Sequence, residues 1–213
     1  MSALNIQIKN NKSEEHSDDK VWVMAEYDGT VKLGPKKLSD LTQINPHTYN
    51  LFDSDQPNIP KARIYFSYGD NSMPKSAILN PIDPNVKNIR YDWVELTYTG
   101  DPADCANLTA VNQLGIPMML ETFCNSTKVQ NVGYKNSFNT LRDNLWSLNP
   151  KAFIGENDKT FIRVVSPNNG NDTHAKSWAE VSDFKSYLNS LAGKTFELKG
   201  LYYGNGSWAS CSL

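Results

Sequence analysis

Leu4, Ile6 and Ile8 alternate with Asn5, Gln7 and Lys9, which is the period of a half-buried strand. A polar run from Asn10 to Lys20 then gives way to VWVMAEYDG, and the two segments read as a hairpin with a long loop. In ARIYFSYGD, Ile64, Tyr65 and Phe66 suit a further strand. The stretch 74–84 carries Pro74, Pro81 and Pro84 and reads as loop. YDWVELTYTG is the clearest strand, with Trp93, Glu95, Thr97 and Thr99 on one side and Asp92, Val94, Leu96 and Tyr98 on the other. IPMMLETF follows as another.

After Asn125 the period changes. Tyr134, Phe138, Leu141, Leu145 and Leu148 recur at spacings of three and four, one face of a helix that Pro150 closes. TFIRVVSPNNG is a short apolar strand. SWAEVSDFKSYLNSLAG then puts Trp178, Val181, Phe184, Leu188 and Leu191 on a second helical face, with Gly193 as C-cap. GKTFELKG returns to alternation. Strands first and a helix–strand–helix–strand unit afterwards predict a mainly β, α+β protein. Its β body spans 1–127 together with 194–213, and its small α/β lobe spans 128–193. The junction between them is expected to form a wide groove, a common place for a ligand.

The chain has 213 residues and a net charge of −2. That balance argues against nucleic acid as a partner and against a polybasic membrane anchor, and no apolar run is long enough to span a bilayer. The first twenty residues lack the apolar core of a secretory leader, so the chain is intracellular or has lost its leader. The histidines His16, His47 and His174 lie far apart among polar residues and read as solvated. With them so dispersed, neither a metal site nor a histidine-activated nucleophile is expected. Cys105 and Cys124 fit either one local bridge or two small buried thiols, and Cys211 is left over. Sequons at Asn11, Asn107, Asn125, Asn171 and Asn205 arise easily in an Asn-rich chain and do not establish secretion.

The candidate chemistry lies between Tyr91 and Leu120. Glu95 is a carboxylate within an aromatic and apolar strand, sharing its face with Trp93 and Thr97. Buried there it would carry a desolvation cost of several kcal/mol unless protonated or paired. A face reading Trp, Glu, Thr, Thr suits the floor of a groove, or the ordinary solvated face of an antiparallel sheet.

DWVELTY followed by NLTAVNQLGIPM resembles the signature of glycoside hydrolase family 64, the β-1,3-glucanases with a thaumatin-like fold. RIYFS before it, the helix around Phe138 to Trp146, RVVSP and the late GKTFELKG recur in the same order, so the resemblance covers roughly residues 60 to 204. It implies a thaumatin-like β-sandwich or barrel body with a small α/β lobe and a broad cleft. It also implies inverting hydrolysis of β-1,3-glucan by a Glu general acid and an Asp general base, held about 6.5–9.5 Å apart to admit a water. Glu95 stands at the acid's position, and Thr97 and Thr109 match threonines that would bond sugar hydroxyls. Trp93 is the nearest aromatic for a pyranose face. No cofactor or metal is implied. The implied partner is β-1,3-glucan as polysaccharide or oligosaccharide, bound by a monomer. A wall or storage polymer as substrate implies an extracellular protein.

At the base's position the chain departs from its family. In NLTAVN the last residue is Asn112, an amide that can hold a water but is a very poor proton acceptor. General-base assistance is typically worth about 10²–10⁴-fold. Three explanations stand open. Asp104 or Asp101 could supply a relocated base, a natural loss could leave a non-catalytic glucan-binding protein of thaumatin-like type, or an Asp could have been deliberately exchanged. A structural or interaction domain that kept the fold and lost the sugar is a further class.

Overall fold

Asp28 and Gly29 both adopt positive φ, 53° and 68°, the backbone of a tight primed turn. This turn sets the first architectural fact. The strand Val21–Tyr27 folds back on Thr30–Lys37 immediately after it, and not on the N-terminal strand. The computed structural model describes residues 4–69, 89–101, 104–108, 113–154, 163–166, 189–193, 195–198 and 209–212. In order the elements are β1 (Gln7–Lys9), β2 (Val21–Tyr27), β3 (Thr30–Lys37), β4 (Gln43–Asn45), β5 (Thr48–Asn50), β6 (Ile59–Tyr68), β7 (Arg90–Tyr98), β8 (Cys105–Leu108), β9 (Gln113–Leu114), β10 (Met119–Cys124) and β11 (Thr127–Gly133). Then come α1 (Phe138–Leu148), β12 (Phe153–Ile154), β13 (Arg163–Val165), β14 (Thr195–Leu198) and β15 (Ala209–Ser212).

The chain is mainly β. Its principal sheet is five-stranded and antiparallel, in the order β3-β2-β6-β7-β8. A three-stranded sheet, β1-β5-β4, lies on one face of it. Val23, Ala25 and Ile64 of the large sheet meet Leu51 there, flanked by Ile6, Ile8, Leu41 and Leu96. Burying such aliphatic side chains stabilises by roughly 1.5–3 kcal/mol each, and this interlayer is the main apolar core of the body. The expected pairing of the N-terminal strand with VWVMAEYDG is therefore corrected. β1 pairs with β5, because the Asp28–Gly29 turn gives β2 a nearer partner in β3 and β6 occupies its other edge.

The second unit forms where β9 returns from the body to pair with β13, itself paired with β12. Leu114, Ala152, Phe153 and Val164 form its core, and Phe138, Leu145 and Trp146 of α1 pack against them. Trp146 meets Phe153 edge-on at 4.9 Å between ring centroids. Ser137 caps the helix, its hydroxyl accepting from the Thr140 N–H at 3.2 Å. The helix is shorter than its apolar spacing predicts. Tyr134 lies ahead of the cap, since β10 and β11 continue as a hairpin to Gly133 around Asn125 and Ser126, both at positive φ. Leu148 is largely exposed. The proline-rich loop over 74–84 lies outside the described residues, as does the second expected helix apart from residues 189–191, which are helical, and 192–193.

Candidate functional site

Antiparallel register aligns four polar side chains across the large sheet. Glu26 of β2 stands opposite Arg63 of β6, Arg63 opposite Glu95 of β7, and Glu95 opposite Asn107 of β8. Side chains directly opposite share a face, so the four form one polar row. Arg63 Nε donates to Glu95 Oε1 at 2.9 Å, and its Nη1 lies 4.0 Å from Glu26 Oε1. The Tyr65 hydroxyl donates to Glu26 Oε1 at 3.0 Å. The side chains of Arg63 and Glu95 are about a third exposed, at 37% and 34%. Such a pair is worth no more than about 1 kcal/mol to folding. The row opens into a cleft of about 480 Å³, lined also by Lys61, Thr97, Cys105 and the backbone turn at Gly29.

One step along the same face the character reverses. Met24, Tyr65 and Trp93 stand in register on the same three strands and close into an apolar cluster with Tyr91. Trp93 is only 2% exposed, its ring 6.0 Å from Tyr65 and 6.3 Å from Tyr91 between centroids. The expected face of Trp93, Glu95 and Thr97 therefore exists, but Trp93 is on its covered part. Glu95 and Thr97 line the cleft, whereas Trp93 is packing and in this arrangement has no free ring face to offer a sugar. The neighbour of the Glu95 carboxylate is a guanidinium, not the apolar aromatic setting that the sequence suggests. Thr109 and Asn112 lie outside the described residues.

Asp104 is used elsewhere. Its Oδ2 accepts from the N–H groups of Thr99 and Gly100, each at 2.7 Å, and its Oδ1 from the Thr99 hydroxyl at 2.9 Å. Burial works against its ionised form, but these bonds hold its carboxyl below the usual range. It fastens the turn between β7 and β8 and does not line the cleft. Cys105 and Cys124 are both free and exposed, which corrects both the bridged and the buried readings. His16 is less solvated than expected, stacking on Tyr68 at 4.3 Å between ring centroids. His47 is exposed, as expected, with its Nδ1 2.8 Å from Asp18 Oδ2. His174 is outside the described residues. Among the described residues no three metal-binding side chains come together.

Sequence reasoning missed Glu26, Arg63 and Asn107. Their signal was the period itself. Met24 and Glu26 share a parity, as do Arg63 and Tyr65, so each strand that contributes an aromatic or methionine to the cluster contributes a polar residue to the cleft.

The opposite face of β7 holds a second polar centre. Asp92 is 3% exposed and accepts from the N–H groups of Trp93 at 3.0 Å, Gly115 at 2.9 Å and Ile116 at 3.3 Å. Burial pushes its carboxyl up to about 7, against the pull of these bonds and of Arg163. Gln113 donates to the Tyr91 carbonyl at 2.8 Å and accepts from Arg163, which is itself wholly buried. Gly115 has no alternative here, because a Cβ would stand 2.3 Å from the Tyr91 carbonyl oxygen. This joint ties β7 of the body to β9 and β13 of the second unit. A separate groove of about 850 Å³ lies at that junction, with Ile64, Phe66 and Leu96 on the body side and Met118, Tyr134 and Phe138 on the other. Glu95 does not line it.

The family model for glycoside hydrolase family 64, described as β-1,3-glucanase, matches residues 3–197. A comparison with curated proteins gives no match. Among solved structures the chain is similar to a β-1,3-glucanase domain of this family from Clostridium beijerinckii, with a TM-score of 0.57 and 22% identity over 93% of this chain and 64% of that one. It is also similar to the laminaripentaose-producing β-1,3-glucanase of Paenibacillus barengoltzii, with a TM-score of 0.54 and 18% identity over 89% of this chain and 56% of that one. The complex of that enzyme with laminarihexaose matches with a TM-score of 0.50 and 19% identity, over 89% of this chain and 53% of that one. This chain thus spans less than two thirds of the length of these three solved structures.

Proposed function

Because the chain belongs to the β-1,3-glucanases of glycoside hydrolase family 64, we propose that it binds β-1,3-glucan in the cleft around Glu95 and hydrolyses it internally with inversion, Glu95 acting as general acid. The observation that carries the reading is the position of Glu95. A partly exposed carboxylate opens into a cleft of about 480 Å³ whose rim offers hydroxyl, amide and cationic groups to a sugar. Thr97 lines the same cleft and is proposed to bond a sugar hydroxyl, and Thr109 is given the same role by its match to the family. Arg63 adds a transition-state term. Its Nε already points at Glu95, so it stabilises the carboxylate that forms as the proton leaves for the glycosidic oxygen, an interaction that strengthens during the reaction. A wall or storage polymer as substrate makes the protein extracellular, and we take it to act as a monomer.

A second reading rests on one residue. Asn112 occupies the family's base position, and a chain that lost its base would remain a non-catalytic glucan-binding protein. Release of reducing sugar from laminarin separates the two. For an enzyme, Glu95→Gln lowers kcat by about 10²–10⁴-fold, the usual worth of a general acid. For a disabled enzyme, the unmodified chain releases nothing and Asn112→Asp gains turnover. Failure to bind laminarin at all would sink both.

A further inference from the structure

With an amide at position 112, an inverting site needs another carboxylate to take the proton of the attacking water. We propose that Glu26 is that general base, a role that rests on the hydrolytic reading above and gives this chain a catalytic pair of its own. Among the described residues lining the cleft, Glu26 and Glu95 are the carboxylates. Asp104 and Asp101, the rivals on the β7–β8 turn, do not line it, and Asp104 has both oxygens committed to that turn.

The placement follows from register. Glu26 and Glu95 are each paired with Arg63 from opposite sides, so two strand spacings, roughly 9.6 Å, separate their backbones on one face. The carboxylates lean toward the same guanidinium, at 4.0 and 2.9 Å. Inverting glycosidases hold their carboxyls about 6.5–9.5 Å apart so that a sugar and a water fit between them. A chain crossing the cleft over Arg63 would have Glu95 on one side of its scissile bond and Glu26 on the other. Glu26 is set up as an acceptor. Its Oε1 takes a bond from Tyr65, whose hydroxyl is held in its protonated, donating form first by burial and then by Glu26 itself. The Glu26 side chain is 27% exposed, open enough to receive a water.

The step balances within the two carboxyls and one water. The Glu26 carboxylate takes a proton from the water as the water oxygen bonds to the anomeric carbon. The bond from that carbon to the glycosidic oxygen breaks, and its electron pair stays on the oxygen, which takes the proton from the Glu95 carboxyl. Glu26 ends protonated and Glu95 ionised, and solvent returns the proton from one to the other.

The test compares the unmodified chain, Glu26→Gln, Glu26→Ala and Glu95→Gln on laminarin, with melting temperature and laminarin binding measured for each. The expected result is a fall in kcat of about 10²–10⁴-fold in Glu26→Gln with binding retained, and loss of the acidic limb of the pH–rate profile. Added azide is expected to restore turnover in Glu26→Ala and to give the α-glycosyl azide, because a small anion can then enter from the base's side. Merely breaking a contact with Arg63 would produce neither the altered pH profile nor the azide product. Glu26→Gln with unchanged kcat and pH profile, in a chain that Glu95→Gln disables, would overturn the role of Glu26 and leave the hydrolytic reading intact. An unmodified chain that binds laminarin without cleaving it would also overturn it. A chain that neither binds nor cleaves would overturn the parent reading first.

Discussion

Asp92 and Glu95 sit on one strand, three positions apart and on opposite faces, and meet opposite fates. Asp92 is sealed from water and bonded by three backbone N–H groups from the strand itself and from the segment after β9. Glu95 holds a single guanidinium at the edge of a cleft. The first carboxyl holds the architecture together, joining the body to the second unit. The second contributes little to folding and is left open for chemistry. Burial with full hydrogen bonding makes a carboxyl structural, and partial exposure beside a single partner leaves it available to substrate.

Substitutions at both sites can break this contrast. The largest effect on stability is expected at the closed one. Asp92→Ala leaves the N–H groups of Trp93, Gly115 and Ile116 without their acceptor, and should cost roughly 3–5 kcal/mol in chemical denaturation. A loss below about 1 kcal/mol would mean that the joint is dispensable.

The next effect is one of pH. Burial raises the native Asp92 carboxyl from 3.8 to about 7, so between these values the folded chain holds a proton that the unfolded chain has released. The stability this contributes is full below pH 3.8 and is lost as the pH rises through 7. Melting temperatures of the parent should therefore fall across that window, and those of Asp92→Asn should fall less. Parallel curves for the two proteins would contradict the assignment.

The smallest effect belongs to the open site. Glu95→Gln should shift stability by no more than about 1 kcal/mol, since it removes only a partly exposed ion pair. A larger loss would make Glu95 a structural residue and remove the contrast.

The alternation of β7 was legible in the sequence because a period of two is a local property. It put Glu95 and Thr97 on one face and Asp92 on the other, as found. What covers each part of a face is not local. Trp93 shares the face of Glu95, yet Met24 and Tyr65, brought alongside from β2 and β6, close over it. Arg63 and Glu26 became partners of the site only through pairing in register, which no short window contains. The strand after Asp28–Gly29 was missed although that dipeptide is a strong hairpin signal, and the missed turn misdirected the pairing of β1. At Asp92 the sequence shows an acid in an apolar strand but not the turn at Gly115 that approaches it, since that depends on β9 crossing from the body to the second unit.

The account depends on the Glu95 cleft being where glucan is cleaved. The most direct measurement is the initial rate of reducing-sugar release from laminarin by Glu95→Gln relative to the unmodified chain, with both shown to be folded. The account predicts a rate lower by about 10²–10⁴-fold with laminarin still bound. Equal rates would contradict it.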